Sequence, residues 1–366
     1  MGAVNPLWSD ACAFCERKRD RMEVKELSRF LREYDGPELN IMEVCGSHTA
    51  AIAKNGIPGM LSSKIHLISG PGCPVCVTAS SYVDRLIELA LEEDDVIVTF
   101  GDLLRVPGSE MSLSQAKGKG ARVEMVYSPM DILKLAQESP DKSFIFAALG
   151  FETTTPVYAL LMEEILENKI ENIRLLTALK CMPPIIERLL QQGARVDGFL
   201  APGHVCAVTG SEIFESLAEK YGLPFVVSGF QGIEILQSLY GLVKLQGKGV
   251  VKNFYPSVVN QKGNVQARCL IEKYFEPCDA TWRGMGLVKD SGLCLKKEYE
   301  AYDAGSRQLL NDKKHNQACQ CEQILMGKKK PYDCKLFRKV CNPLHPQGAC
   351  MVSEEGSCHA YFLSAI

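Results

Sequence analysis

The chain has 366 residues, 41 basic and 44 acidic, for a formal net charge of −3. Its hydrophobic fraction of 46% and charged fraction of 23% suit a folded globular protein of two or three domains and exclude a disordered chain. Near-neutrality argues against a nucleic-acid partner, and no apolar run reaches the ~18–20 residues of a membrane span.

Residues 1–20 show no apolar h-region and carry Asp10, Cys12, Cys15 and Glu16. They do not read as a signal peptide, so a cytoplasmic location is expected. The unusual count is 16 cysteines. In a large chain with no export signal such density points to metal or redox chemistry rather than a disulfide framework. Buried, inert thiols are the plain alternative, so spacing must separate the two.

From residue 38 onward short apolar runs alternate with segments of helical period. Strands are predicted at 39–44, 64–69, 95–100, 122–127, 143–149, 173–178, 198–201 and 224–227. Helices are predicted at 80–92, 130–137, 156–167, 184–192, 211–220 and 233–245. In the first of these Val83, Leu86, Ile87 and Ala90 share one face. The alternation predicts α/β architecture with parallel sheets. Eight strands exceed one comfortable sheet, so two similar α/β domains are expected, at 1–140 and 141–260, although one barrel-like closure fits the same count. In 261–366 the alternation fades and turn residues and cysteines accumulate, which predicts a small loop-rich domain built around something other than a large core.

The polar and cysteine motifs fall just after strands. They are Cys45-Gly46-Ser47-His48-Thr49, Gly70-Pro71-Gly72-Cys73-Pro74-Val75-Cys76, Gly101-Asp102 with Arg105-Val106-Pro107-Gly108, Gly150-Phe151-Glu152-Thr153-Thr154 and Pro202-Gly203-His204-Val205. In open α/β sheets ligands bind beyond the strand C-termini, so these motifs are expected to converge on one cleft. Cys73 and Cys76 form a C-x-x-C before a helix, a setting for a reversible dithiol; half a zinc site or a plain turn are the alternatives. Cys45 and His48 suit a soft or borderline transition metal, or else a buried thiol beside a hydrogen-bonded histidine. Glu152 is a candidate general acid/base or an N-cap for the helix that follows it. His204 is a candidate base or a turn histidine. Near the C-terminus Cys321, Cys334, Cys341 and Cys358 suit a [4Fe–4S] cluster or a Cys₄ zinc site, with Cys319 and Cys350 as spare thiols. The absence of paired C-x-x-C knuckles favours iron–sulfur.

The same residues carry a resemblance. Met42-Glu43-Val44-Cys45-Gly46, 70–77, Phe100-Gly101-Asp102, Tyr127-Ser128-Pro129-Met130-Asp131, 150–154, 201–205, Trp282-Arg283-Gly284 and Met351-Val352-Ser353-Glu354-Glu355-Gly356 together resemble the HypD family of hydrogenase maturation proteins over about 25–365. The resemblance implies two related α/β domains and a C-terminal iron–sulfur domain, with a [4Fe–4S] cluster on Cys321, Cys334, Cys341 and Cys358. It implies a scaffold that assembles the transient Fe(CN)₂CO group of [NiFe]-hydrogenase with a HypC-type small chaperone, cyanide coming from a HypE-type partner. Cys45, with His48 beside it, matches the iron-binding cysteine, and Cys73 and Cys76 match the central dithiol. No nucleic acid or membrane enters. Some relatives carry a second histidine where this chain has Ala50, which weakens any model with two histidines on the iron. Cys12 and Cys15 match no family motif.

Soft thiolates suit iron carrying cyanide and CO, and a dithiol exchanges two electrons as it opens and closes. An electron relay from cluster to dithiol to the iron on Cys45 is the expected mechanism. A cluster-dependent thiol–disulfide reductase acting on a partner protein is the competing class, and a zinc-stabilised binding module is a third.

Overall fold

A computed structural model of the chain describes residues 24–92, 95–309, 311–313 and 316–364. The Cys12/Cys15 pair lies outside the described residues. Among the described residues the strands are β1 Leu39–Glu43, β2 Ile65–Ser69, β3 Val96–Thr99, β4 Val123–Met125, β5 Phe144–Gly150, β6 Ile173–Lys180, β7 Gly198–Pro202, β8 Phe225–Ser228, β9 Val251–Asn253, β10 Phe275–Trp282 and β11 Gly286–Leu295. All eight predicted strands are among them, and every predicted helix is present within one or two residues, with 211–220 split into a 3₁₀ turn and a short helix.

The strands form two sheets, in the orders β2-β1-β7-β8-β9 and β10-β11-β6-β5-β3-β4. The chain divides accordingly into two compact units, 1–68 with 195–263 and 69–194 with 264–366. This differs from the expected division at residue 140, which falls between β4 and β5 of one sheet. The chain leaves the first unit after β2 and returns at β7, where Ile41 to Glu43 register with Gly198 to Leu200 in parallel. Local periodicity identifies strands but carries no pairing order, so a long excursion of this kind leaves no trace in it.

In the first unit the pairs β1–β7, β7–β8 and β8–β9 are parallel. Its core takes Leu27 and Leu31 from the helix Val24–Arg32 and Ile235, Leu236, Leu239 and Leu242 from the helix Gly232–Lys244. These pack on Ile41, Leu200 and Val226 of the sheet. The helical residues recur at three- and four-residue spacing, as one buried face requires.

In the second unit β4, β3, β5 and β6 are parallel, and β5 is buried at every residue. That is the apolar run of a strand covered on both faces. The antiparallel pair β10–β11 extends this sheet beyond β6. Residues 264–366 group with the second unit. The expected fading of regular structure after 260 holds only beyond residue 295, where short 3₁₀ turns predominate. No helix among the described residues is long and apolar enough to cross a membrane.

Candidate functional site

The strand-end motifs fall into two sets, one in each unit. In the first unit Cys45 is the N-cap of the helix Gly46–Lys54, with extended φ/ψ of −150° and 121°. A helix starting directly after a strand turns the chain here and aims its amide end at the residue that caps it. The turn is braced by the buried carboxylate of Glu43. Its Oε2 accepts the Cys45 N–H at 3.0 Å and its Oε1 accepts the Thr49 hydroxyl. The Cys45 side chain has only 9% of its surface exposed.

His48, one turn into that helix, is completely buried, and its Nε2 lies 3.0 Å from the carbonyl of Gly229. A carbonyl can only accept, so Nε2 carries the proton and Nδ1 carries the lone pair. That Nδ1 has no hydrogen-bond partner. Burial lowers the pKa of His48 from 6.5 to about 4, so the ring is neutral at pH 7. The ring stacks on Phe230 at 4.6 Å, and His204, at the start of the helix Gly203–Thr209, stacks on Phe230 at 3.8 Å. His204 is exposed. The structure thus joins Cys45, His48 and His204 through two strand ends of one sheet. Phe230, in the turn after β8, was not among the expected residues. The turn sequence Ser228-Gly229-Phe230-Gln231 at a further strand end was the available signal.

In the second unit Cys73 and Cys76 are joined as a disulfide, with Cα atoms 5.2 Å apart. Cys73 caps the one-turn helix Pro74–Val77, and its sulfur accepts the Cys76 N–H at 3.2 Å. Both are buried, at 3% and 0% exposure, so a folded partner protein cannot reach them directly. The Cys76 sulfur lies 3.9 Å from the carbonyl of Ala349. The dithiol therefore touches the cysteine-rich tail of its own unit.

Arg283 fixes this turn. Its N–H donates to Val77 O at 2.8 Å, its Nε to Thr78 O at 2.8 Å and its guanidinium NH₂ to Pro107 O at 3.3 Å. The next residue, Gly284, has φ +74° and sits against Glu322, so a side chain there would meet both backbone strain and a clash. These contacts explain why Trp282-Arg283-Gly284 forms a motif, which spacing alone could not reveal.

Glu152 lies just past β5. It does not cap the helix that follows it. Its Oε1 accepts the Met182 N–H at 2.7 Å, at the start of the helix Met182–Gln191. Its Oε2 is buried without a partner, and burial raises its pKa from 4.5 to about 7. Lys180, at the end of β6, is also buried. Desolvation lowers its pKa to about 8, and its ammonium donates to Thr281 O at 2.7 Å. No sequence signal pointed to it.

Cys321, Cys334, Cys341, Cys350 and Cys358 are buried, and Cys319 is partly so. Cys350 hydrogen-bonds Cys321 and Cys358, and Cys341 lies in the field of Cys358, Cys334 and Cys321. Burial pushes the Cys341 thiol up to about 11, against a hydrogen bond from the Gln347 N–H at 3.4 Å. Burial likewise raises Cys319, while the hydrogen bond from Cys350, with Arg283 nearby, lowers Cys321. Several thiolates packed this closely repel one another, and a bound metal centre supplies the positive charge that holds them ionised together. No group of three or more His, Cys, Asp or Glu side chains among the described residues is arranged to hold a single metal ion.

The HypD family model, described as "Hydrogenase formation hypA family", matches residues 22–364. A putative hydrogenase expression/formation protein of Methanocaldococcus jannaschii is 38% identical over 351 residues, spanning 95% of this chain and 97% of that protein. The hydrogenase maturation factor HypD of Escherichia coli is 39% identical over 368 residues, spanning 95% and 97%. The factor of the same name from Cupriavidus necator is 39% identical over 340 residues, spanning 89% and 90%. By the extent of these matches the chain belongs to the HypD family of hydrogenase maturation factors.

Proposed function

We propose that the protein is the scaffold on which the Fe(CN)₂CO group of [NiFe]-hydrogenase is assembled, in complex with a HypC-type chaperone and supplied with cyanide by a HypE-type partner. The carrying observation is Cys45 at a helix start, followed one turn later by a buried, neutral His48 with a lone pair on Nδ1. A thiolate anchors soft, electron-rich iron, and the positive end of the helix favours negative charge at that position. Glu43 holds the turn through the Cys45 N–H and the Thr49 hydroxyl. Neutral His48 adds no positive charge one turn from that sulfur.

Cys73 and Cys76 serve as a two-electron store. The bond opens when the pair takes up two electrons and two protons, and re-forms when it returns them. Its burial excludes bulk thiols, and its contact with Ala349 ties it to the thiol nest. Cys321, Cys334, Cys341 and Cys358 are the proposed ligands of a [4Fe–4S] cluster, which supplies one-electron transfer when bound. The four thiols are buried in one segment of the second unit, and four thiolates are the ligand set such a cluster takes. The competing reading, a reductase of partner-protein disulfides, is disfavoured by the burial of both sulfurs and leaves Cys45 and His48 without a role.

Infrared spectroscopy of the anaerobically purified protein with its small chaperone tests the reading. Cys45→Ala should abolish the cyanide and CO bands while keeping the brown iron–sulfur absorbance. Cys334→Ala should abolish that absorbance. Unchanged bands in the first variant refute the anchor, and full iron and sulfide in the second refute the ligand set. Cys319→Ser and Cys321→Ser, compared in the same assay, decide which of these neighbours is the fourth ligand.

A further inference from the structure

A second pair of thiols lies in the second unit, apart from the dithiol and the nest. β10 and β11 are antiparallel, with Glu276 opposite Cys294 and Cys278 opposite Gly292. Residues two apart on a strand share a face, so Cys278 and Cys294 are diagonal neighbours on one side of the ribbon. The missing side chain at 292 matters here. The Cys278 sulfur lies 3.4 Å from the place a Cβ at Gly292 would occupy, so it leans across toward β11. Cys278 and Cys294 share a side-chain hydrogen bond, and Cys294 also contacts the Glu276 carbonyl at 3.8 Å. The register shifts just after Cys278, a bulge that tightens the local twist.

Both sulfurs line a small cavity together with Lys180, Ser306 and Arg307. Its volume is about 40 Å³, space for one or two water-sized molecules. That size excludes an organic substrate. Lys180 and Arg307 outnumber Asp279, the one carboxylate on the wall, which disfavours a metal cation. A neutral molecule the size of water remains, and hydrogen peroxide is one that reacts with thiols.

We propose that Cys278 and Cys294 form a peroxide-oxidisable thiol pair that closes to a cross-strand disulfide. Cys294 is the attacking sulfur, because the Arg307 guanidinium, which donates to the adjacent Leu295 O at 3.2 Å, stabilises negative charge beside it. The Cys294 sulfur bonds to one peroxide oxygen as the O–O bond breaks, and the departing hydroxide leaves as water with the thiol proton. The Cys278 sulfur then attacks the sulfenic acid. The S–S bond forms, the S–O bond breaks, and a second water carries off the Cys278 proton. Two electrons pass from the sulfur pair to the peroxide. The closed bond links the edge strand β10 to its neighbour β11.

The test is peptide mapping of the full-length protein after a few equivalents of hydrogen peroxide, with alkylation before trypsin. Trypsin separates the two thiols into peptides 274–283 and 290–296. The expected product is these two peptides joined, lighter than their sum by two hydrogens and split by reductant. In Cys278→Ser, Cys294 should stop at the sulfenic acid and become trappable by dimedone. Two fully alkylated thiols after the peroxide is consumed would overturn the proposal. So would a bond from either sulfur to Cys181, which lies close enough to influence Cys278. The mapping of the unmodified chain decides the matter even if the variant misfolds.

Discussion

Each unit places a reactive sulfur at a strand-end turn and braces that turn with one buried charged side chain, but the two braces have opposite sign. Around Cys45 the brace is a carboxylate, Glu43, accepting a backbone N–H and a hydroxyl. Around Cys73 and Cys76 it is a guanidinium, Arg283, donating to carbonyls of two separate segments. The choice follows from which backbone groups the turn leaves over. A residue capping a helix start exposes N–H donors, which call for an acceptor. The end of the Pro74–Val77 turn and the loop at Pro107 expose carbonyls, which call for a donor. A second contrast sits beside the first. His48 and Glu152 are both buried, each with one polar atom bonded and the other not. Burial favours the neutral form of each, so one pKa falls and the other rises.

Removing a brace is the strongest way to break this comparison. Arg283→Leu leaves the carbonyls of Thr78 and Pro107 without their donor in a dry setting, at a cost of about 2–4 kcal/mol. Denaturant unfolding should show that loss. A small phosphine should also reduce the Cys73–Cys76 bond faster in the variant, since the turn covering it loosens. Unchanged stability together with an unchanged reduction rate would mean that the main-chain bond from Arg283 to Val77 holds the turn unaided.

The titratable pair sharpens the contrast, because the two groups act on stability in opposite directions. Glu152 titrates near 7 when folded and near 4.5 when unfolded. Between those values the folded chain holds the extra proton, so stability falls as pH rises, by up to about 3 kcal/mol. His48 titrates near 4 folded and near 6.5 unfolded. Between those values the unfolded chain holds the extra proton, so stability falls as pH drops, by up to about 3 kcal/mol. Glu152→Gln keeps an acceptor for the Met182 N–H and should flatten the high-pH side of the profile. His48→Gln keeps a donor for the Gly229 carbonyl and should flatten the low-pH side. Profiles parallel to the parent in both variants would show that water reaches the two groups in the folded protein.

What the sequence disclosed and what it hid divide along physical lines. Strands such as 144–150 are apolar throughout and bounded by turn residues, so period and punctuation reveal them. β9 is three half-buried residues, and β10 contains Pro277 and alternates buried with open positions, so neither shows an apolar run. The cysteine and histidine motifs at strand ends were legible because they depart from ordinary composition. The bracing role of Glu43 and Arg283, the stacking role of Phe230 and the buried ammonium of Lys180 were not. Each depends on which segments meet, and β1 meets β7 across more than 150 residues of chain. The contact between Cys76 and Ala349 spans 273 residues, and no local pattern encodes it.

The smallest effect tests how the first unit keeps His48 dry. Phe230 is sandwiched between the rings of His48 and His204, at 4.6 Å and 3.8 Å. Ring stacking of this kind contributes about 0.5–1.5 kcal/mol beyond the area it covers. Phe230→Leu keeps an apolar side chain but removes the flat face, so the expected loss is about 1 kcal/mol. The more telling readout is the titration of the His48 ring protons by nuclear magnetic resonance. Burial is the largest cause of the depressed pKa, so admitting water beside the ring should move the midpoint up from about 4 toward 6.5. A midpoint that stays near 4 would assign the dryness to the helix Gly46–Lys54 and the strand ends rather than to the aromatic stack.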